Sequence, residues 1–388
     1  MQQINASALL HPIQRTRTAL GFFFFMQGMA FGSWASRIPT IKTNLALGEA
    51  QLGSILLMLP LGQMTMLPFS GRIVAYLGSQ QVLRISVLLY IAVLTQIGNS
   101  SSAWQLAFWL FMFGVSGNLC NIAVNTQGVQ TEKLYERPIF TAFHGLWSLG
   151  GFTGAAFGAL MIRLELIPFY HFLIVAGIVA ASDFFNHGFL LPKQAITVPP
   201  TRFSFRKPDP VLMQLGLVAF CSMSVEGCMF DWTGIYFRDV IQVPERLVPA
   251  GYASFMIVMA TGRFTGDTLA LRFGRKRMVR LSGLLIFSGL LILVTLPYLV
   301  SGMIGCMLTG FGVSSIIPLT YSTAGKVEHV PNSIAIATVS GIGYFGFLLG
   351  PPIIGFVAEA TGLQYSFLLM AVAGVAINLL VRRIGLFG

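Results

Sequence analysis

Apolar stretches long enough to cross a bilayer as a helix, about 20 residues each, follow one another along the whole chain with short polar interruptions. Twelve can be placed, at residues 17–38, 50–77, 82–98, 103–130, 139–162, 166–190, 211–238, 248–272, 278–297, 299–325, 332–358 and 363–381. No soluble core could hide so many. In hydrocarbon a backbone must satisfy its own polar groups, which a helix does within one segment. Composition agrees, with 55% of the 388 residues hydrophobic, 10% charged and a mean hydropathy of +0.76. The expectation is an all-α integral membrane protein of twelve transmembrane helices.

Lys and Arg are retained in cytoplasmic loops. With the N-terminus inside, all but five of the 24 basic residues fall on the cytoplasmic side, the five being Arg37, Lys42, Arg163, Arg238 and Arg246. Both termini are therefore expected in the cytoplasm. The formal net charge of +11 then faces anionic headgroups, and nucleic-acid binding is not expected. Nor is a cleavable signal peptide, because the apolar run after Arg17 leads without a small-residue cleavage site into eleven more spans. Cys221 and Cys228 lie two turns apart on one helix, roughly 10 Å of rise, too far for a disulfide. With Cys120 and Cys306 they read as small buried apolar residues.

The one long polar stretch, residues 192–210, is rich in proline and positive charge and reads as a linker between bundles at 1–191 and 211–388. A constant offset of 196 relates the two. "GSQQVLRISVLL" (78–89) falls on "GRKRMVRLSGLL" (274–285), and the same offset carries Gly114 to Gly310, Gly150 to Gly346 and Gly154 to Gly350. A six-helix unit repeated in parallel is the symmetry of one large transporter class. The chain resembles the major facilitator superfamily, whose glycine-led basic loop is recognisable in "GDTLALRFGRKR" (266–277), with Leu271 where the family has an acid. The first copy, "GRIVAYLGSQQ" (71–81), keeps the glycines and loses the charges. "GSWASRIPTIK" (32–42), "FHGLWSLGG" (143–151) and "GFLLGPPIIGF" (346–356) are most similar to a bacterial branch grouped with the fucose permeases. The resemblance implies two pseudo-symmetric six-helix bundles and a central cavity lined by the first, fourth, seventh and tenth helices, opening alternately to each side. Fucose permeases carry acids in the first and fourth helices. This chain has Gln27 and asparagines there.

Polar residues inside the spans can be read directly. Asn118, Asn121 and Asn125 recur at i, i+3 and i+7 on one helical face, where they serve either helix-to-helix hydrogen bonding or a hydroxylated ligand. Gln27, Trp34 and Arg37 share a face of the first span, and the offset maps that face onto Glu226 and Phe230 of the seventh. Asn118 maps to Ser314, and Asn125 to Tyr321. Amides with aromatic rings suit a neutral polyol or sugar. His144 and Trp147 share a face of the fifth span, and a membrane histidine can carry protons as well as pack. Asp183 with His187, and Arg263 with Asp267, are each four apart and read as local structural pairs.

Glu226 lies 15 residues into its span, roughly 22 Å and past the midplane of a ~30 Å core. A carboxylate there cannot face lipid and is a candidate for proton exchange. Asp231, one and a half turns further out, ranks second. Arg37 is expected to approach one of these two acids when the outer side closes. "GIGYFG" (341–346) matches a dinucleotide fingerprint but lies in an apolar helix with no strand before it. His11, His144, His171, His187 and His329 show no metal-ligand spacing, and no catalytic set converges, so neither a metal, a cofactor nor enzyme activity is expected. The reading is a secondary transporter of the bacterial inner membrane, a monomer moving a small polar, sugar-like solute with protons in symport. An efflux antiporter for amphipathic compounds, an uncoupled facilitator and a membrane receptor are the alternatives.

Overall fold

The computed structural model describes residues 6–135, 139–192, 209–324, 326–327, 330 and 332–384, and every long element among them is a helix. The helices are α1 (Ala6–Asn44), α2 (Glu49–Leu56), α3 (Met58–Leu77), α4 (Ser79–Gly98), α5 (Ala103–Tyr135), α6 (Phe140–Arg163) and α7 (Pro168–Asn186). They continue with α8 (Pro210–Asp239), α9 (Ala250–Phe273), α10 (Arg275–Thr295), α11 (Leu299–Ala324), α12 (Asn332–Thr361) and α13 (Leu363–Arg383). Eleven stretches among the described residues, with α2 and α3 counted together, have the length and apolarity of a membrane span. The 39 residues of α1 supply the length of a twelfth. The single span expected at 50–77 breaks at Leu57, because Pro60 has no N–H to give the Leu56 carbonyl. Most of the expected linker lies outside the described residues. Its last residues form a start signal, in which Asp209 accepts from the Val211 and Leu212 N–H groups at 2.7 and 3.3 Å and Pro210 opens α8.

Two compact units form. The first contains Met1–Trp34, Met58–Gly154 and Leu166–Arg202, and the second Ala35–Leu57, Ala155–Glu165 and Phe203–Gly388. The second unit thus includes the C-terminal ends of α1 and α6, and all of α2. Trp104, Phe184, Phe185 and Leu271 are largely exposed, as lipid-facing side chains are.

Lipid tails are as apolar as leucine, so helices in a bilayer adhere through close packing rather than expulsion of water. Here that packing is built on glycine, and it repeats. A Cβ added at Gly114 of α5 would strike the Leu59 carbonyl oxygen of α3, and one at Gly310 of α11 would strike the Phe255 carbonyl oxygen of α9. Leu59 and Phe255 are themselves 196 residues apart. In the first unit Gly150 and Gly154 of α6 lie against the Phe25 and Met29 carbonyls of α1. In the second, Gly346 of α12 lies against Phe220 of α8. The turns before α4 and α10 repeat as well, with Gly78 at φ +90° and Gly274 at φ +82°, a conformation that L side chains rarely adopt.

At the end of α1 that belongs to the second unit, Lys42 bridges Glu49 at 2.6 Å and Asp239 of α8 at 3.1 Å. Arg238 holds Asp239 at 2.7 Å and donates to the Pro39 carbonyl and the Thr43 hydroxyl. Nearby, the Ala50 N–H donates to Glu359 of α12 at 3.2 Å. These ties join α1 and α2 to α8 and α12.

Three outcomes are expected. Gly114→Ala and Gly310→Ala should each lower thermal stability in detergent by about 1–3 kcal/mol, the scale of overpacking. Ala at Gly71, where a Cβ meets nothing within 4 Å, should be neutral or slightly stabilising. Asp239→Asn should leave the chain folded yet raise severalfold the labelling, by a membrane-impermeant thiol reagent, of a cysteine placed at the buried Ile38.

Candidate functional site

At mid-length of α8, Glu226 is 6% exposed, and one carboxylate oxygen accepts from the Arg263 guanidinium of α9 at 3.1 Å. The sequence reading placed Arg263 with Asp267, four residues along the same helix. The structure adds Glu226, on the adjacent helix, as a partner of Arg263. Asp267's side chain lies outside the described residues. The other expected local pair gains a further partner: the His187 ring meets the Asp183 backbone carbonyl at 2.9 Å and interacts electrostatically with the Asp183 carboxyl, which also pairs with Arg84 of α4 at 3.6 Å.

Tyrosines from three helices lie within electrostatic reach of Glu226. Tyr252 of α9 interacts electrostatically with Glu226, Asp231 and Arg263, and Tyr321 of α11 and Tyr344 of α12 each interact with Glu226. Tyr321 is hydrogen-bonded to Ser340. Tyr252 is 1% exposed and its hydroxyl has no hydrogen-bond partner. Phe230 closes the cluster, with ring centroids 5.9 Å from Tyr252, 5.8 Å from Phe255 and 6.1 Å from Phe347. Of the residues singled out in the second half, the structure gathers Glu226, Asp231, Phe230 and Tyr321 here. Ser314 is elsewhere, buried against Gly262 with its hydroxyl given to the Phe311 carbonyl at 2.7 Å. Arg263, Tyr252 and Tyr344 were not assigned from sequence. A mid-span arginine was the one signal that could have found them, since it demands a carboxylate somewhere at its own depth.

The second expected group lies in the first unit. Gln27 of α1 donates to the Gly117 carbonyl of α5 at 3.5 Å. Asn118 accepts from Ser70 of α3 at 2.5 Å, which is the helix-joining role. Asn125 donates to the Asn121 backbone carbonyl at 2.9 Å and to its side-chain oxygen. Its own side-chain oxygen is buried without a partner. His144 meets Phe24 edge-on at 5.5 Å, and Trp147 lies 5.8 Å from Phe31. Trp34 is fully buried, so in this conformation it lines no accessible surface. Arg37, 2% exposed, belongs to the second unit. The acid that tethers the end of α1 is Asp239, through Lys42, and Glu226 is held by Arg263. A groove of about 670 Å³ near the start of α1 is lined by Gln14, Arg17, Phe22, Phe25 and Phe143, among others, and none of the expected site residues touches it.

Known proteins of the same kind were found by sequence and by fold. The uncharacterized transporter y4wD of Sinorhizobium fredii is 31% identical over 92% of this chain and 95% of its own length. An uncharacterized MFS-type transporter of Yersinia pestis is 30% identical over 94% and 95%. Among solved structures, a variant of the nucleoside transporter NupG superposes with a TM-score of 0.77 at 14% identity, over 95% of this chain and all of the other. The profile of the Major Facilitator Superfamily matches residues 20–330. With that match across most of the chain, glycine contacts that recur at the repeat spacing, and a buried charge pair within helices that span a membrane, the chain belongs to the Major Facilitator Superfamily as a multi-pass membrane transporter.

Proposed function

We propose that this transporter carries a small polar solute, taken up with a proton, across the bacterial inner membrane by alternating access, and that Glu226 is the group that loads the proton. The observation that supports this most is the position of Glu226. It sits near the middle of α8, almost wholly buried, held by one guanidinium and faced by phenolic hydroxyls. A carboxylate so placed is stable when ionised only while its partner stays at hydrogen-bond distance, and stable when neutral only if the partner is otherwise compensated. A group with two such states, each tied to a different arrangement of neighbouring helices, can couple a proton to reorientation. For the solute, the α5 amide face holds the buried, unpartnered Asn125 oxygen, which can accept from a donor such as a hydroxyl. By the same logic Asn118, already given to Ser70, serves packing.

One specific observation favours a second reading, in which the Glu226–Arg263 pair is a permanent clamp between α8 and α9 and transport is uncoupled. Liposome transport separates the two. Glutamine imitates the protonated carboxyl permanently, so Glu226→Gln should still exchange labelled for unlabelled substrate while failing to accumulate it under an imposed pH gradient. Accumulation equal to wild type would make the pair structural and return attention to Asp231 and His144. Asn125→Ala should fold normally and weaken substrate binding by about 1–3 kcal/mol, the cost of leaving a polar ligand group unpaired, as measured by a thermal-shift titration. Unchanged affinity with a large loss of stability would assign the amide to packing.

A further inference from the structure

Two carboxylates lie five residues apart on α8, and their surroundings differ. Glu226 is buried and paired with Arg263. Asp231 takes part in none of the ion pairs among the described residues, and no opposite charge there acts on it. It is also the one residue from Ser222 to Phe237 that is not buried. It stands about 10 Å from the midpoint of α8, inside a ~30 Å core centred there, where a carboxylate cannot be left facing lipid. The surface it reaches is therefore aqueous. The Lys and Arg residues outside the described stretches, Arg137, Lys193, Arg202, Arg206 and Lys207, fall by span count on the side from which α8 starts, whereas Asp231 is roughly 31 Å along it. Two uncharged groups lie within electrostatic reach of Asp231, the Cys228 thiol one turn back on α8 and the Tyr252 phenol of α9. Tyr252 is 1% exposed and its oxygen has no hydrogen-bond partner. A carboxylate without a counter-charge and a buried phenol oxygen without a partner make a set of acceptors that no described group fills, and the whole set belongs to the second unit.

A hard metal ion takes about six or more oxygens. Asp231 and Tyr252 supply half of that, and no group of three or more His, Cys, Asp or Glu among the described residues could hold a metal. An ammonium group fits the set. It is cationic and presents three N–H donors and no acceptor, so it neutralises the carboxylate through a charge-assisted bond and has a second N–H for the Tyr252 oxygen. We propose that Asp231 recognises an ammonium group on the transported solute, with Tyr252 as the neutral second acceptor. The proposal rests on the transport reading and names the class of solute. It requires nothing of Glu226 or Arg263, nor of any group in the first unit.

The test is a thermal-shift titration of the purified full-length protein in detergent and mildly acidic buffer, with glucosamine against glucose and cyclohexylamine against cyclohexanol. Within each pair an ammonium replaces a hydroxyl. At least one amine should stabilise the wild type with an apparent affinity about tenfold or more above that of its neutral partner, the scale of a charge-assisted hydrogen bond. Asp231→Asn keeps the shape and removes the charge, so it should abolish that preference, while Asp231→Glu should retain it. Because Asp231→Asn removes an uncompensated charge and breaks no ion pair, the unliganded variant should melt at or above the wild-type temperature. A large fall, failure to fold included, would reveal a structural partner and overturn the proposal. So would amines that fail to stabilise the wild type or that bind no better than their neutral partners. Loss of pH-driven accumulation in Asp231→Asn with no preference for amines would make Asp231 a proton carrier instead. Liposome uptake keeps this proposal and the transport reading apart. Asp231-dependent amine binding without flux of the amine would leave the ammonium site standing and sink the transport reading, whereas flux of glucose but not of glucosamine, unchanged in Asp231→Asn, would sink the ammonium site and leave transport standing.

Discussion

Close approach of helix backbones is the constraint on which the arrangement depends. In hydrocarbon two helices gain little from hiding apolar side chains from each other, so adhesion has to come from contact, and contact between backbones needs positions with no side chain. Gly114 on the Leu59 carbonyl and Gly310 on the Phe255 carbonyl, like Gly154 on Met29, are such positions. They also fix the rotation of each helix about its axis. A helix that can lie against its neighbour only along a glycine edge has its other faces assigned, and the polar residues on those faces are placed by the same contact.

That placement explains how a mid-membrane ion pair can be held in register. On α8, Gly227 adjoins Glu226 and meets the Phe347 ring of α12. Phe230, one turn further, packs on Tyr252, Phe255 and Phe347. With α8 wedged in this way, the Glu226 carboxylate and the Arg263 guanidinium meet at 3.1 Å. One buried polar group on α5 is fully satisfied. Gln127 of α5, fully buried, donates to Ser79 and the Leu191 carbonyl at 2.8 Å and accepts from the Leu191 N–H at 2.9 Å. Tyr252 and Asn125, by contrast, each keep a buried side-chain oxygen without a hydrogen-bond partner.

The ties of Lys42 and Arg238 to Asp239, with the Pro39 carbonyl and the Thr43 hydroxyl, are of another kind. They lie at helix ends, with the Lys42 side chain buried between the more exposed Glu49 and Asp239.

The sequence by itself determined the helical, membrane-spanning class, because a run of some twenty apolar residues has only one way to satisfy its backbone in lipid. It also determined the repeat, since glycines at a fixed offset mark helix contacts that recur. Depth was legible too: counting residues from the start of α8 placed Glu226 inside the membrane. Partners on other helices were not. Spacing along one helix offered Arg263 with Asp267 and Asp183 with His187, and the fold adds Glu226 to Arg263 and Arg84 to Asp183 across helices. The break at Leu57, the grouping of the end of α1 with the second unit, and the complete burial of Trp34 were likewise decided by tertiary structure. The physical reason is common to all of these. Periodicity reports which residues share a face of one helix, but which face of which neighbour lies opposite depends on helix rotation and depth, and those are set by backbone contacts between segments far apart in the chain.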